Sequence, residues 1–328
     1  MSSKFRLSEL FDGNGWAGRH ILGIEDLTAA DVRHALHCAH VLREHYASPG
    51  GPDEQLLLAR HKRIGLIFEK PSLRTRVSFE GAAAELGAGW HWIEYNLDNG
   101  REPLRDIAGC LSQYCAAIVV RTFSHRTLQD LAQWSRVPVI NALDDREHPC
   151  QALADYMAIK DHVGRVAGVR LAYLGDAGSN VFHSLMLTGA MLGSHISIAC
   201  PAKYEPDPEL LDRALREAEA SGGSITITDS TVKAIRGADV VCTDTHVSMG
   251  QEHGREERRR KLRDYMVTAE LMQQAGPNAK FIHCLPAHRG EEVEAAVIDG
   301  PQSIILPEAR CRLLVQKALL ALVLQPKR

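Results

Sequence analysis

Short, continuous aliphatic runs alternate along this chain with amphipathic stretches, and that alternation limits the fold more than any other feature. RIGLIF (63–68), AAIVVR (116–121), VPVIN (137–141), VRLAYLG (169–175), HISIAC (195–200), ITIT (225–228), ADVVCT (238–243), KFIHCL (280–285) and SIILP (303–307) read as strands. Most are apolar at consecutive positions, as strands covered on both faces must be. Between them, LTAADVRHALHCAHVLREHY, HRTLQDLAQW and PELLDRALREAEA place apolar residues at helical spacing. Strands and helices in alternation imply an α/β protein built on parallel sheets flanked by helices. A chain of 328 residues exceeds one ordinary core. Two such domains are therefore expected, joined by inter-domain helices. The first boundary falls at the helix of EHPCQALADYMAIKDHV, giving domains over 1–147 and 148–310. The apolar helix LLVQKALLALVL, within 311–328, is expected to pack back on the first domain.

Bulk composition removes several function classes. A net charge of −3 disfavours nucleic acid and anionic membrane as partners. The eight cysteines form no CxxC pair and read as reduced thiols. MSSKFRLSELFDG has no apolar signal core and no run approaches membrane-span length, so a cytoplasmic location is expected. QEHGREERRRKLRDYM (251–266) reads as a charged surface loop or exposed helix.

Parallel sheets bind ligands at the carboxyl ends of their strands. After RIGLIF come Ser72, Leu73, Arg74, Thr75 and Arg76, followed by a helical stretch. Two readings fit: a capped helix with a solvated basic face, or an anion cradle of helix-start N–H groups, hydroxyls and a guanidinium fork. It is not a Walker loop, because GxxxxGK[ST] is absent. Arg121 ends the next strand, and His148 and Gln151 follow the one after. Asp244 and Cys284 end strands in the second half. LGDAGSNV has its glycines out of register for GxGxxG, which argues against a nicotinamide cofactor.

Together FEKPSLRTRVSFE, VVRTFSH, EHPCQALAD, TDTHVSMGQE and HCLPAHRGEEV, in this order and spread over nearly the whole chain, resemble the aspartate/ornithine carbamoyltransferase family, and its ornithine branch in particular. The resemblance implies transfer of a carbamoyl group from carbamoyl phosphate to the side-chain amine of L-ornithine, giving L-citrulline and phosphate. It implies that Ser72, Leu73, Arg74 and Thr75 hold the phosphate, with Arg121, His148, Gln151, Cys284, Leu285 and Arg312 completing the carbamoyl phosphate site. Asn180, Asp244, Ser248 and Met249 would hold the amino acid. Arg121, His148, Cys284, Arg312 and Asp244 would carry the chemistry. It further implies no metal and no organic cofactor, and a homotrimer or a multiple of trimers.

Five departures stand out from the family pattern. Leu73 replaces a threonine, Asp98 a glutamine and Ser179 an asparagine; His246 replaces a tryptophan, and Arg310–Cys311 a Glu-Asn pair. They leave open a related acceptor, such as lysine, diaminobutyrate or a modified ornithine. They also leave open a non-catalytic paralogue that binds carbamoyl phosphate or an amino acid without turnover.

Overall fold

A computed structural model describes residues 10–11, 15–47, 57–97, 100–247 and 254–325. The chain divides into two compact units, 1–150 with 312–328 and 151–311.

In the first unit α1 (Ala29–Ala47) precedes β1 (Arg63–Phe68), α2 (Leu73–Glu85) and β2 (Gly89–Ile93). Then follow α3 (Leu104–Tyr114), β3 (Ala117–Arg121), α4 (His125–Trp134) and β4 (Val139–Leu143). All strand pairs are parallel, in the order β2-β1-β3-β4. The chain leaves β1 toward one edge and returns with β3 toward the other. The β1/β3 boundary is thus the switch point where such sheets open a crevice. Ile67, Ile118, Val120 and Val139 pack with Leu128 and Leu131 of α4 and with Ile107 of α3.

The connection α5 (Pro149–Val163) begins in the first unit and continues into the second. There the order is β5 (Arg170–Leu174), α6 (Asn180–Leu192), β6 (His195–Ala199), α7 (Pro208–Ser221), β7 (Ser224–Thr228) and α8 (Thr231–Ile235). β8 (Val240–Thr243), α9 (Arg255–Leu262), α10 (Ala269–Gln274), β9 (Lys280–Ile282), α11 (Ala295–Ile298) and α12 (Ile305–Val323) complete it. This sheet is also parallel, ordered β7-β6-β5-β8-β9, with its switch point between β5 and β8.

The expectation of parallel sheets flanked by helices is met. One expected strand is not present: SIILP contributes an isolated bridge, Phe281↔Ser303, and then enters α12. Pro307 lies in the first turn of that helix, where a missing N–H costs nothing. Conversely, β2 was not among the expected strands. Its GWHWI sequence is aromatic and none of its residues is buried, as suits an edge strand. The charged stretch 251–266 contains α9 in its described part.

In the first unit's share of α12, Lys317 is fully buried, paired with Glu85 at 2.6 Å and set 3.4 Å from the Tyr46 ring centroid. A buried lysine needs such partners, because an unpaired ammonium there costs several kcal/mol.

Candidate active site

The SLRTR turn and Arg121 stand at the first unit's switch point, and Asn180 and Asp244 at the second's; His148 and Cys284 follow the neighbouring edge strands β4 and β9. In the first unit Phe68 pairs with Arg121 across β1 and β3, so the chain beyond β1 lies beside Arg121. A register shift between Val120 and Arg121, where β3 meets β4, marks a local bulge at the arginine, the kind of irregularity that re-aims a side chain. Glu69 ties the strand ends together, accepting from Leu97 N at 2.5 Å, from Phe123 N at 3.3 Å and from the Thr122 hydroxyl.

α2 starts where the sequence requires. Ser72 is its N-cap, its Oγ accepting from Thr75 N at 3.3 Å. The Ser72 hydroxyl also donates to Thr75 Oγ1 at 2.9 Å, and Arg312 Nη2 donates to that same oxygen at 2.7 Å. A guanidinium therefore sits on the first turn of a helix whose N-terminal dipole already favours an anion. Thr75, Arg121, His148 and Arg312 are all buried. Burial lowers the His148 pKa well below the ordinary histidine value, and the charges of Arg312, Arg121 and Arg74, in that order, lower it further. The imidazole is neutral, held in the field of three guanidinium groups. Of the two readings of SLRTR, the anion cradle fits this electrostatic convergence. Arg76 is committed elsewhere, to Glu80 at 3.0 Å and to the Trp92 ring at 4.1 Å. Leu73 is 76% exposed, so it offers backbone rather than side chain to the turn.

The loop before His148 is built from buried carboxylates. Asp144 accepts from Arg146 N at 2.8 Å, Glu147 N at 2.7 Å and His125 Nδ1 at 2.6 Å. Glu147 accepts from Ile24 N at 2.9 Å. This loop delivers His148 to the start of α5.

In the second unit Leu174 pairs with Thr243, setting Gly175 beside Asp244. Gly175 has φ +125°, a conformation L side chains rarely adopt, and the turn depends on it. Asp244 is buried, and its Oδ1 accepts from Cys284 Sγ at 3.1 Å and from Thr245 N at 2.7 Å. Burial pushes the Cys284 thiol well above its ordinary pKa, and the carboxylates of Asp244, Glu308 and Asp155 add to the shift. Cys284 is thus a protonated donor, not a thiolate. Leu285 sits at φ 57°, where a bulky residue is strained, and its N–H donates to His283 Nδ1 at 2.9 Å. Gln151 is 1% exposed; its amide nitrogen donates to Asp155 Oδ1 at 2.7 Å and Glu308 Oε1 at 2.9 Å. Asn180 is the first residue of α6.

The two carbamoyltransferase models that match divide the chain as its sheets do. "Aspartate/ornithine carbamoyltransferase, carbamoyl-P binding domain" covers residues 19–161, and "Aspartate/ornithine carbamoyltransferase, Asp/Orn binding domain" covers 167–323. The chain belongs to the aspartate/ornithine carbamoyltransferase family. The anabolic ornithine carbamoyltransferase of Pyrococcus furiosus is 45% identical over 311 residues, spanning 94% of this chain and 97% of that one. The ornithine carbamoyltransferase of Rhizorhabdus wittichii is 47% identical over 306 residues, 92% and 97% of the two chains. Among solved structures, the P. furiosus ornithine carbamoyltransferase superposes with a TM-score of 0.89 at 44% identity, covering 94% of this chain and 97% of that one. Ornithine transcarbamoylase from Giardia lamblia gives 0.85 at 32% identity, with coverages of 95% and 99%.

Within this carbamoyltransferase, one of the departures from the family pattern has a plain local reason. Ser179 is the N-cap of α6, its Oγ accepting from Phe182 N at 3.2 Å; serine is among the best residues for that position. Arg310 is exposed and Cys311 buried on α12. Asp98, Ser248 and Met249 lie outside the described residues. His246 is 1% exposed, its carbonyl accepts from Arg258 Nε at 3.2 Å, and its Nε2 has no hydrogen-bond partner among the described residues. Sequence reasoning did not find Asp155, Glu308 or Lys70. The last is a buried lysine over the Phe123 ring, and its pKa is lowered by burial and by Arg121. Among the described residues, His288, Glu291 and Glu292 place ligand atoms within 4.8 Å of one another. Arg259 holds Glu291 through its Nε at 2.8 Å, so that cluster is already charge-paired. No helix among the described residues is long and apolar enough to cross a membrane.

His246 yields a stability prediction. Burial lowers its pKa to about 4, against opposing pulls from Glu292 and Glu291 and with smaller assistance from Arg258 and His283. The folded chain keeps the imidazole neutral, whereas the unfolded chain protonates it near pH 6.5. Its stabilising share is therefore complete above pH 6.5 and is lost as pH falls toward 4. Between pH 7 and pH 5 the loss amounts to about 2 kcal/mol. Denaturant unfolding at the two pH values should show a smaller loss, by about that amount, in His246→Gln. Equal losses in both proteins would contradict the assignment.

Proposed function

We propose that this chain transfers the carbamoyl group of carbamoyl phosphate to the side-chain amine of L-ornithine, releasing L-citrulline and phosphate. The observation that carries this reading is the neutral, buried His148 within the field of Arg74, Arg121 and Arg312, beside a capped helix start. A phosphate dianion and a carbonyl that gains negative charge in the transition state both require such a set of preorganised donors and cations. In this reading Ser72, Arg74, Thr75 and the backbone at Leu73 hold the phosphate. Arg121, His148 and Arg312 stabilise the carbonyl oxygen as the ornithine amine attacks carbon. The new C–N bond forms, the C–O bond to phosphate breaks and the amine loses a proton. Asp244 holds the incoming ammonium and, with the Cys284 thiol, orients the amine lone pair; Asn180, Ser248 and Met249 hold the α-amino and α-carboxylate groups.

A second reading concerns the acceptor. The buried His246, two residues from Asp244 and with Nε2 unpartnered among the described residues, supports an amine with an added polar group. Phosphate release and ureido product measured over ornithine, lysine, diaminobutyrate and N-acylated ornithines should rank plain ornithine first, by at least ~10-fold. A modified ornithine ranking first would favour the second reading. Folded protein that releases no phosphate with any amine would favour a binding paralogue instead.

The active unit in this proposal is a homotrimer or a multiple of it. Leu73 and Phe123, both more than half exposed, line a cleft of about 460 Å³ in the first unit with Lys70, Ser72 and Trp92. Large exposed apolar side chains beside an anion cradle suit a covering neighbour. Elution from a sizing column is expected at three times 36.1 kDa, or a multiple. An active monomer would refute the assembly.

A further inference from the structure

We infer that Glu308 is a positioning residue: it fixes the orientation of the Gln151 amide, which the family resemblance already sets against the carbamoyl NH₂, so that the amide oxygen and not its nitrogen faces that group. The inference rests on the carbamoyltransferase reading and assigns a role to a side chain which that reading leaves idle.

The case begins with donors and acceptors. Gln151 is 1% exposed and carries two N–H donors and one carbonyl oxygen. Its nitrogen donates to Asp155 Oδ1 at 2.7 Å, one turn along α5, and to Glu308 Oε1 at 2.9 Å, from α12. Both carboxylates are buried. Rotating the amide by 180° would set its oxygen against two carboxylate oxygens and forfeit both bonds, so the orientation follows from chemistry. What remains is Oε1, a buried oxygen with no partner among the described residues. Such an oxygen is costly to bury unless something donates to it. Gln151 stands in the first turn of the helix that His148 precedes, and a carbamoyl group presents an oxygen to His148 and an NH₂ that needs an acceptor.

Glu308 has a second duty. Its Oε2 accepts from His283 N at 2.9 Å, the residue before Cys284. One carboxylate thus fixes both the amide and the start of the HCLP segment. A glutamine in its place has one acceptor oxygen for two donors, so one contact must fail. Asp155→Asn removes an acceptor from the other side of the same amide and serves as an independent probe.

The test uses acetyl phosphate, in which a methyl replaces the NH₂. Calorimetric titration of the full-length protein without amine should show carbamoyl phosphate binding at least ~10-fold more tightly than acetyl phosphate, since a site built around an N–H rejects the analogue lacking it. In Glu308→Gln, and again in Asp155→Asn, that ratio should fall to within about 3-fold, through weaker carbamoyl phosphate binding and unchanged acetyl phosphate binding. A general structural role would weaken both ligands in parallel, and that outcome overturns the proposal. So does an unmoved ratio in whichever variant retains the parent melting temperature. A parent protein that binds neither phosphate overturns the carbamoyltransferase reading itself, and this inference with it.

Discussion

Arg74→Ala is expected to lower kcat/KM for carbamoyl phosphate about 1,000-fold while leaving the melting temperature within a few degrees of the parent. Removing one preorganised donor from an oxyanion site typically costs 100- to 1,000-fold. Arg74 is only half-buried, so its loss falls on the ligand more than on the fold. Its charge acts on His148 together with those of Arg312 and Arg121. Deleting it weakens phosphate binding and also removes the smallest of the three charges that add to burial in keeping the imidazole neutral. Arg74→Lys restores charge without the planar fork, and about a tenth of the lost rate should return. The control is Arg126→Ala, which breaks an exposed pair with Asp130 at 3.0 Å; such pairs contribute little to stability. Steady-state kinetics at saturating amine measures all three. A loss for Arg74→Ala no larger than for Arg126→Ala would remove the phosphate assignment.

What the sequence revealed of this site, and what it concealed, follow from one distinction. Aliphatic runs locate strands, strands in an α/β alternation pair in parallel, and parallel sheets bind at strand ends. Arg121, Asp244 and the SLRTR turn are therefore legible as candidates in the sequence. Residue chemistry alone does not tell Arg74 from Arg76, two positions apart and identical in side chain; the family resemblance singles out Arg74. The packing of Arg76 on Trp92 and Glu80 supplies the physical reason. Nor could it reveal Glu308, which lies 157 positions from Gln151 and falls between the SIILP run and the apolar helix LLVQKALLALVL. Lys317 in that helix is concealed in the same way: periodicity marks a buried face but not the Glu85 and Tyr46 that make a lysine tolerable there. The missed β2 has the opposite cause. An edge strand needs no continuous aliphatic run, and GWHWI pairs with β1 through backbone bonds that composition does not announce. SIILP shows the converse error, a β-branched run that one bridge and a first-turn proline convert into a helix start.

Asp244→Asn should produce the other large effect, confined to the amine. Asparagine keeps the shape of Asp244 and removes its charge. The ornithine side-chain amine has a pKa near that of lysine, so at neutral pH it arrives as an ammonium and must both be held and lose a proton. The Asp244 carboxylate is buried, and the Cys284 thiol donates to it at 3.1 Å. Because burial and the carboxylates of Asp244, Glu308 and Asp155 keep that thiol protonated, Cys284 cannot supply the negative charge in its place. Coulombic attraction to the ammonium therefore rests mainly on Asp244, which points to a fall of about 1,000-fold in kcat/KM for ornithine. Carbamoyl phosphate affinity, measured without amine, should stay within about 2-fold. Cys284→Ser should be far milder, about 10-fold in kcat/KM for ornithine, since a hydroxyl still donates to Asp244 Oδ1. Raising the pH discriminates further. More of the amine is then already neutral, so Asp244→Asn should recover part of its rate between pH 7.5 and 9.5 while Arg74→Ala should not. If Asp244→Asn instead loses carbamoyl phosphate binding along with ornithine turnover, or recovers nothing at high pH, the carboxylate holds the fold or the other substrate, and the division of labour between the two switch points fails.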